Sequence, residues 1–430
     1  MNTTDTEPAA VYFSSLTVEN VKCFKSEQTI ALSDGNGKPA MWTVILGDNN
    51  TGKTTLLRCL ADLEPSLGSM QEFNQDGKEI FEYSPRCTSD FSAQETYKVD
   101  STVYSQTFTG QWEYHKSKEE YWGTASLAYE LANIPIDKLL IYGYGTSRRM
   151  SRSSLSETEN QDNTASLFDD RIELANTEEW LLQTDYATKS NNPKIRQSAT
   201  LRLEKIRTIL CNGLLPDVQG FRCTSTETNG KIQNFVEFQT DYAWLRLRDL
   251  GYGYQSIAAW LIDLAKKMFE RYPDSDNPLH KPAVVLVDEI DLHLHPEWQR
   301  KIIQFLSDQF PQTQFIVTAH SPLIVQSADN INLVLLKKQD DHIVIQQRPD
   351  IKSFKGWTVE EILTELMGLD NRVSSDDYLA LIADFDDALD NDNYAKAKTA
   401  YDALVKILHP NSHQPKLLRL QMSSLTPDEL

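Results

Sequence analysis

Residues 47–54 read Gly-Asp-Asn-Asn-Thr-Gly-Lys-Thr, the G-x-x-x-x-G-K-[ST] spacing with which a backbone wraps a polyphosphate. Gly47 and Gly52 permit the tight path, with Asp48, Asn49, Asn50 and Thr51 between them, and amides at the start of a following helix point at anionic oxygens. Lys53 supplies a mobile positive charge for the β and γ phosphates. The Thr54 hydroxyl is a ligand for Mg2+, and Thr55 carries the loop into the helix. The chemistry predicted here is binding of a nucleoside triphosphate.

Two acids close the apolar run Val284-Val-Leu-Val287. Asp288 is placed to hold the water shell of Mg2+, and Glu289 to activate an attacking water. A second short strand, Phe315-Ile-Val317, leads to His320, the candidate sensor of the γ-phosphate. Leu250-Gly-Tyr-Gly-Tyr-Gln255 stands before a helix, where Gly251, Gly253 and Gln255 would open a second pole of backbone amides. Singly, a glycine turn before a helix and an acidic pair after a strand are common. Their order along the chain, after a phosphate loop, is the specific signal.

The elements that must position these groups follow from hydrophobic spacing. Trp42-Thr-Val-Ile-Leu46 reads as the strand before the loop, and Leu56 to Leu60 as the helix after it. Tyr12–Val18, Val21–Phe24 and Trp42–Leu46 predict a small mixed sheet feeding the nucleotide core. Val284–Val287 and Phe315–Val317 have the continuous apolar character of central parallel strands. From Tyr254 onward, Ile257, Trp260, Leu261, Leu264 and Met268 mark one face of a helix. Alternation such as Thr102–Phe108 predicts hairpins, residues 151–170 a loop, and 171–215 helix broken at Pro193. The division predicted is a core of 1–100 and 245–350, an inserted α+β lobe of 100–245 and a helical tail of 351–430. That tail opens on the capping box Thr358-Val-Glu-Glu361 and continues in two amphipathic helices with stripes at Tyr378 to Phe385 and Tyr394 to Leu408. Such stripes can be buried only against the core or a partner, and the expectation is that the tail docks a partner or a neighbouring copy.

Composition excludes several classes. At 430 residues, 40 % hydrophobic and 24 % charged, the chain is globular and long enough for two or three domains. Its longest apolar runs stop far short of the roughly 20 residues of a membrane span, and its polar first residues do not form a secretory signal. Five scattered cysteines without a C-x-x-C pair predict a reduced, cytoplasmic protein with no structural zinc. A net charge of −20 argues against indiscriminate nucleic-acid binding. Local basic groups remain at 189–207, with Lys189, Lys194, Arg196, Arg202, Lys205 and Arg207, and at Arg148, Arg149 and Arg152. They read either as solvated faces or as contacts for nucleic acid or an acidic partner.

Phosphate loop, glycine-rich helix start, Asp-Glu strand and strand-end His together resemble the nucleotide-binding domains of ABC-class ATPases. Val21–Phe24, Gly47–Thr55, Leu250–Ser256, Val287–Pro296 and Thr318–Pro322 carry a closer resemblance to the soluble RecF-like and SMC-like branch, in the AAA-21 group. The resemblance implies an ABC-type P-loop α/β core with a mixed sheet, ATP and Mg2+ as cofactors, and a head-to-tail dimer or higher homo-oligomer. In it each phosphate loop would face Gly251, Gly253 and Gln255 of another subunit. Gly251 stands where the family usually has Ser, which implies slow or partner-regulated turnover unless Ser256 substitutes. His295 is implied at the dimer interface, His293 is expected to be structural, and Phe24 either stacks on adenine or belongs to the core.

Three functions compete. A transporter motor would need a compact helical lobe and a membrane partner; a compact RecF-like DNA-repair ATPase would act on DNA directly. The third is the ATPase subunit of an anti-phage defence complex, because Gly356–Leu363 and Ile407–Pro410 resemble the tails of Septu-type and retron ATPases, which implies an HNH-type nuclease partner. No nuclease site is visible in this chain: Asp384, Asp386, Asp387, Asp390 and Asp392 lie on or beside an amphipathic helix. Nucleic acid would then be reached through the partner.

Overall fold

The computed structural model describes residues 10–425 except 74–78, 86–95, 106–107, 118–138, 152–161, 212–214, 216, 352 and 369–374. It is an α/β protein of two units, residues 1–357 and 358–430.

The first unit is organised by a six-stranded mixed sheet. Its strands are β3 (Trp42–Gly47), β8 (Ile141–Tyr144), β12 (Ala283–Val287), β13 (Thr313–Ala319), β14 (Asn332–Gln339) and β15 (His342–Gln347), in the order β15-β14-β3-β13-β12-β8. All neighbours are parallel except β14 and β15. Every residue of β12 and β13 is buried, as their unbroken apolar runs require of strands covered on both faces. Helix α1 (Lys53–Asp62) follows β3 and buries Leu56, Leu57, Cys59 and Leu60, so the turn between them is held rigidly at both ends.

A second sheet is antiparallel, with β1 (Val11–Glu19) between β2 (Gln28–Ala31) and β6 (Thr96–Ser105), and β7 (Phe108–Ser117) outside β6, while β4 (Pro65–Phe73) and β5 (Glu79–Pro85) pair antiparallel in a two-stranded sheet of their own. Buried Gln314 stitches it to β13: its Oε1 accepts from Phe13 N at 2.9 Å while Nε2 donates to Phe13 O at 2.8 Å. The expected small sheet of 12–46 is therefore divided. Tyr12–Val18 and Trp42–Leu46 belong to different sheets, and Val21–Phe24 is a tight turn closed by Phe24 N donating to Val21 O at 2.9 Å.

The inserted lobe is also smaller than 100–245. The hairpin of β6 and β7 extends the β1 sheet, and β8 is an edge strand of the central sheet. Among the described residues of 100–245, those outside both sheets are chiefly the helix pair α2 (Thr177–Ala187) and α3 (Pro193–Cys211) and the three-stranded sheet of β9 (Gly220–Thr228), β10 (Lys231–Gln239) and β11 (Trp244–Arg246). Pro193, expected to break a helix, is the first residue of α3, where its missing N–H costs nothing. Helix α4 (Tyr252–Arg271) runs back into the core, with the predicted Ile257, Trp260, Leu261, Leu264 and Met268 all buried.

The second unit opens on Thr358, whose hydroxyl accepts from Glu361 N while Glu361 Oε2 accepts from Thr358 N, the reciprocal capping box. Helices α5 (Asp376–Asp390), α6 (Tyr394–Ile407) and α7 (Gln414–Met422) share a core of Phe385, Ala388, Ala397, Leu404 and Leu418. Sequence periodicity predicts the first two of these three. The tail boundary falls at 358 rather than 351, because Phe354 and Trp357 stack edge to face at 5.3 Å and Gln326 donates to Trp357 O at 2.8 Å.

Candidate nucleotide site

The phosphate loop leaves β3 and enters α1 through two left-handed residues, Asn50 (φ 64°) and Gly52 (φ 92°). A side chain at Gly52 would collide with Cys23 Sγ and the Phe24 ring, both within 3 Å of where its Cβ would stand. Phe24 is thus fully buried beneath the loop as its support, and is not free to stack on a base. Thr51 closes the loop by donating to Asp48 O at 2.8 Å. Asp48, Asn49 and Asn50 are exposed at the tip, and Thr55 is buried behind it.

Lys53 folds back over the loop and donates to Gly47 O at 2.7 Å and Asp48 O at 2.8 Å. Burial pulls its ammonium below the usual lysine range, and the carboxylates of Asp288, Glu289, Asp48 and Asp291 push it back. A polyphosphate at the loop would supply a stronger partner than two carbonyls.

Beside the loop, Thr54 Oγ1 donates to Asp288 Oδ2 at 2.6 Å, and Thr318 Oγ1 donates to Asp288 Oδ1 at 2.6 Å. Both oxygens of the buried Asp288 are therefore held in place. The same Thr318 hydroxyl accepts from Glu289 N at 2.6 Å. Glu289 is left-handed (φ 49°), and this local reversal lets its carboxylate stand 3.7 Å from His320 Nε2. Asp291 Oδ2 fixes His320 from behind by accepting from the amides of His320 (3.0 Å) and Ser321 (2.7 Å). The structure thus brings together Lys53, Thr54, Asp288, Glu289 and His320 from three segments, the outermost residues 267 positions apart in the chain.

Hard oxygens of a hydroxyl and a carboxylate in direct contact suit Mg2+, which takes few protein ligands and is completed by phosphate oxygens and water. Among the described residues no cluster of three or more His, Cys, Asp or Glu could hold a metal by itself. Thr54 and Asp288 fit the ion as part of a nucleotide complex.

Thr318, Asp291 and Arg148 are the parts of this network that sequence reasoning gives no role. Arg148 was grouped with the surface cations; it is 2 % exposed and donates to Glu289 O at 2.6 Å. Burial draws its guanidinium down to about 10 against the opposing pull of Asp288, Asp291 and Glu289. A polar Thr within an apolar strand is a detectable signal for Thr318. Nothing local marks Arg148, since its acids lie 140 residues away. Arg149 O accepts from Leu174 N at 2.7 Å, and Arg152 lies outside the described residues.

The glycine-rich segment occupies the first turn of α4. Among the described residues no hydrogen bond joins Gly251, Gly253 or Gln255 to the loop of their own chain. Gln255 Nε2 donates to Leu250 O (2.7 Å) and Arg248 O (3.1 Å), which fixes the approach to the helix. Ser256 is buried, so its hydroxyl does not replace one missing at Gly251. His293 (φ 65°) packs edge to face on Tyr252 at 4.7 Å, and His295 caps the short helix Pro296–Gln299, its Nδ1 accepting from Glu297 N at 3.3 Å.

The two glycines differ in kind. A Cβ on Gly253 would fall well inside van der Waals distance of the His293 carbonyl oxygen, whereas one on Gly251 meets only Tyr254 Cδ2 at 3.6 Å. Gly253→Ala is expected to destabilise the fold by about 1–3 kcal/mol, the usual scale of overpacking, and Gly251→Ala by far less. Urea titrations of the two variants check this. A Gly253 variant consequently cannot separate a surface role from a folding role, and Gly251 is the position at which to test one.

No helix among the described residues is long and apolar enough to cross a membrane. The chain is 28 % identical to Septu protein PtuA of Bacillus thuringiensis over 88 % of this chain and 91 % of that one. It is 26 % identical to Septu protein PtuA of Bacillus mycoides over 82 % of this chain, spanning 44 % of the relative's length. Retron Ec83 probable ATPase of Escherichia coli is 35 % identical over a shorter stretch, 35 % of this chain and 27 % of the relative. The family model described as "AAA domain, putative AbiEii toxin, Type IV TA system" matches residues 42–326, more than half the sequence and the whole span from β3 to the helix after His320. The chain belongs to this AAA_21 family.

Proposed function

We propose that the protein binds and hydrolyses ATP with Mg2+ as the ATPase subunit of an anti-phage defence complex of the Septu type, pairing head to tail over ATP to control a separate HNH-type nuclease. The observation that carries the ATPase reading is the junction of Thr54, Asp288, Thr318, Glu289 and His320 beside Lys53. The defence reading rests on the similarity to the Septu proteins along nearly the full length of one of them.

In this reading Lys53 leaves the Gly47 and Asp48 carbonyls for the β and γ phosphates. Thr54 and Asp288 would hold Mg2+, which would neutralise charge on the phosphate oxygens. Glu289 accepts the proton of the attacking water, while His320, pinned by Asp291, faces the γ-phosphate. Thr318 and Arg148 keep Asp288 and Glu289 in register by holding a carboxylate and a carbonyl, so the strand end need not reorganise when ATP arrives. Gly251 and the free amides of the first α4 turn then serve the ATP of another subunit.

A mixing experiment tests the head-to-tail geometry. Gly251→Glu places a carboxylate where the partner's γ-phosphate would lie without crowding its own fold. Alone, it should keep ATP binding and lose turnover, as Lys53→Ala should lose both. An equimolar mixture should recover part of the activity, because one composite site then has both halves intact. If Gly251→Glu alone turns over normally, or if both variants are inactive and their mixture stays as inactive as its components, the helix start serves no neighbouring ATP.

A further inference from the structure

The lobe of α2 and α3 holds a concavity that the nucleotide site does not use. Its volume is about 550 Å3, within the roughly 300–1,000 Å3 of small-ligand sites. One face of α2, one of α3 and the last turns of α4 enclose it. Trp180, Ala187, Ile195 and Ala199 give an apolar wall, and Gln183 and Ser198 add hydrogen-bonding groups. Lys194, Arg202 and Lys266 border it with Glu270 as the sole carboxylate, so the cleft is cationic in a chain of net charge −20.

Only one of these cations is neutralised. Lys266 pairs with Glu270 at 2.9 Å, whereas Lys194 and Arg202 have no carboxylate partner among the described residues; Arg202 lies over the Phe269 ring at 5.7 Å. The other cations of the 189–207 run do not line the cleft, Lys205 lying within electrostatic reach of His280. Lys189 is paired with Asp185 at 2.8 Å, Arg196 donates to Ser190 O at 3.3 Å, and Arg207 covers Phe221 at 4.7 Å. A polyanion such as DNA needs a track of cations along successive phosphates. Two free cations at one cleft suit a single dianionic group beside a flat apolar body.

We propose that the cleft between α2, α3 and α4 is a binding site for a nucleotide-sized phosphomonoester. Arg202 and Lys194 hold the phosphate, the guanidinium by a bidentate fork, and the Trp180 and Ile195 wall takes the ring system. The site is independent of the phosphate loop. It adjoins the far end of α4, about 25 Å from the Gly251 end at 1.5 Å per residue, so an occupant would sit against the helix that carries the glycine-rich turn.

The test is calorimetric titration of the full chain with AMP while excess ADP and Mg2+ fill the phosphate loop. One AMP per chain is expected to bind, more tightly than inorganic phosphate. Arg202→Glu and Lys194→Glu should each weaken it tenfold or more, and Arg207→Glu should leave it unchanged. Lys194 is exposed, so its variant reports on the cleft even if Arg202→Glu misfolds. ADP affinity, measured separately, reports on the phosphate loop alone. Absence of AMP binding, binding unaffected by Lys194→Glu, or tighter binding of a twelve-residue oligothymidylate than of AMP would each overturn the proposal.

Discussion

Lys53→Ala is expected to weaken ATP binding by about a hundredfold or more. The ammonium is the one cation in the loop, and a charge-assisted hydrogen bond contributes roughly 1.5–3 kcal/mol; losing two, to the β and γ phosphates, corresponds to roughly 10²–10⁴ in affinity. The variant also loses the contacts to Gly47 O and Asp48 O. These are exchangeable for water at an exposed loop, so the fold should persist. Equilibrium binding of a fluorescent ATP analogue, with a thermal melt alongside, measures both. Undiminished affinity in a folded variant would mean that the loop does not hold the phosphates.

Glu289→Gln should divide binding from chemistry. The amide keeps the size of the carboxylate and leaves the backbone contacts from Arg148 and Thr318 in place, so ATP affinity is expected to change by less than a few fold. Without a group to take the proton from water, turnover should fall on the order of a hundredfold or more. Phosphate-release assays at saturating ATP would register the loss. A variant that turns over normally would place the base elsewhere.

How far the sequence alone reaches is visible in these residues. The order of loop, glycine turn, Asp288-Glu289 and His320 could be read because each motif is local: a tight turn needs its glycines, and a buried strand shows as an apolar run. The partners of β8 could not be read, because no local feature of Ile141–Tyr144 encodes pairing with a strand 140 residues further on. Arg148 misled for the same reason. An arginine in a polar stretch looks solvated until distant carboxylates are brought to it. Gly253 shows a third limit, since its requirement for hydrogen at the α-carbon arises from the His293 carbonyl and not from its own turn. Helix α7 was legible in principle, through Pro415 at its start and Leu417, Leu418, Leu420 and Met422 beyond, but its short stripe is weak beside those of α5 and α6.

The most direct test of ATP binding and hydrolysis at the Lys53 and Glu289 centre is the nucleotide content of the chain after exposure to ATP and Mg2+. Wild-type and Glu289→Gln protein are freed of unbound nucleotide by rapid desalting, then denatured, and the released nucleotide is identified. The Glu289→Gln chain is predicted to carry close to one intact ATP per chain, while the wild type yields ADP or is empty. Glu289→Gln protein that retains no ATP, or converts it to ADP as fast as the wild type, would contradict the assignment.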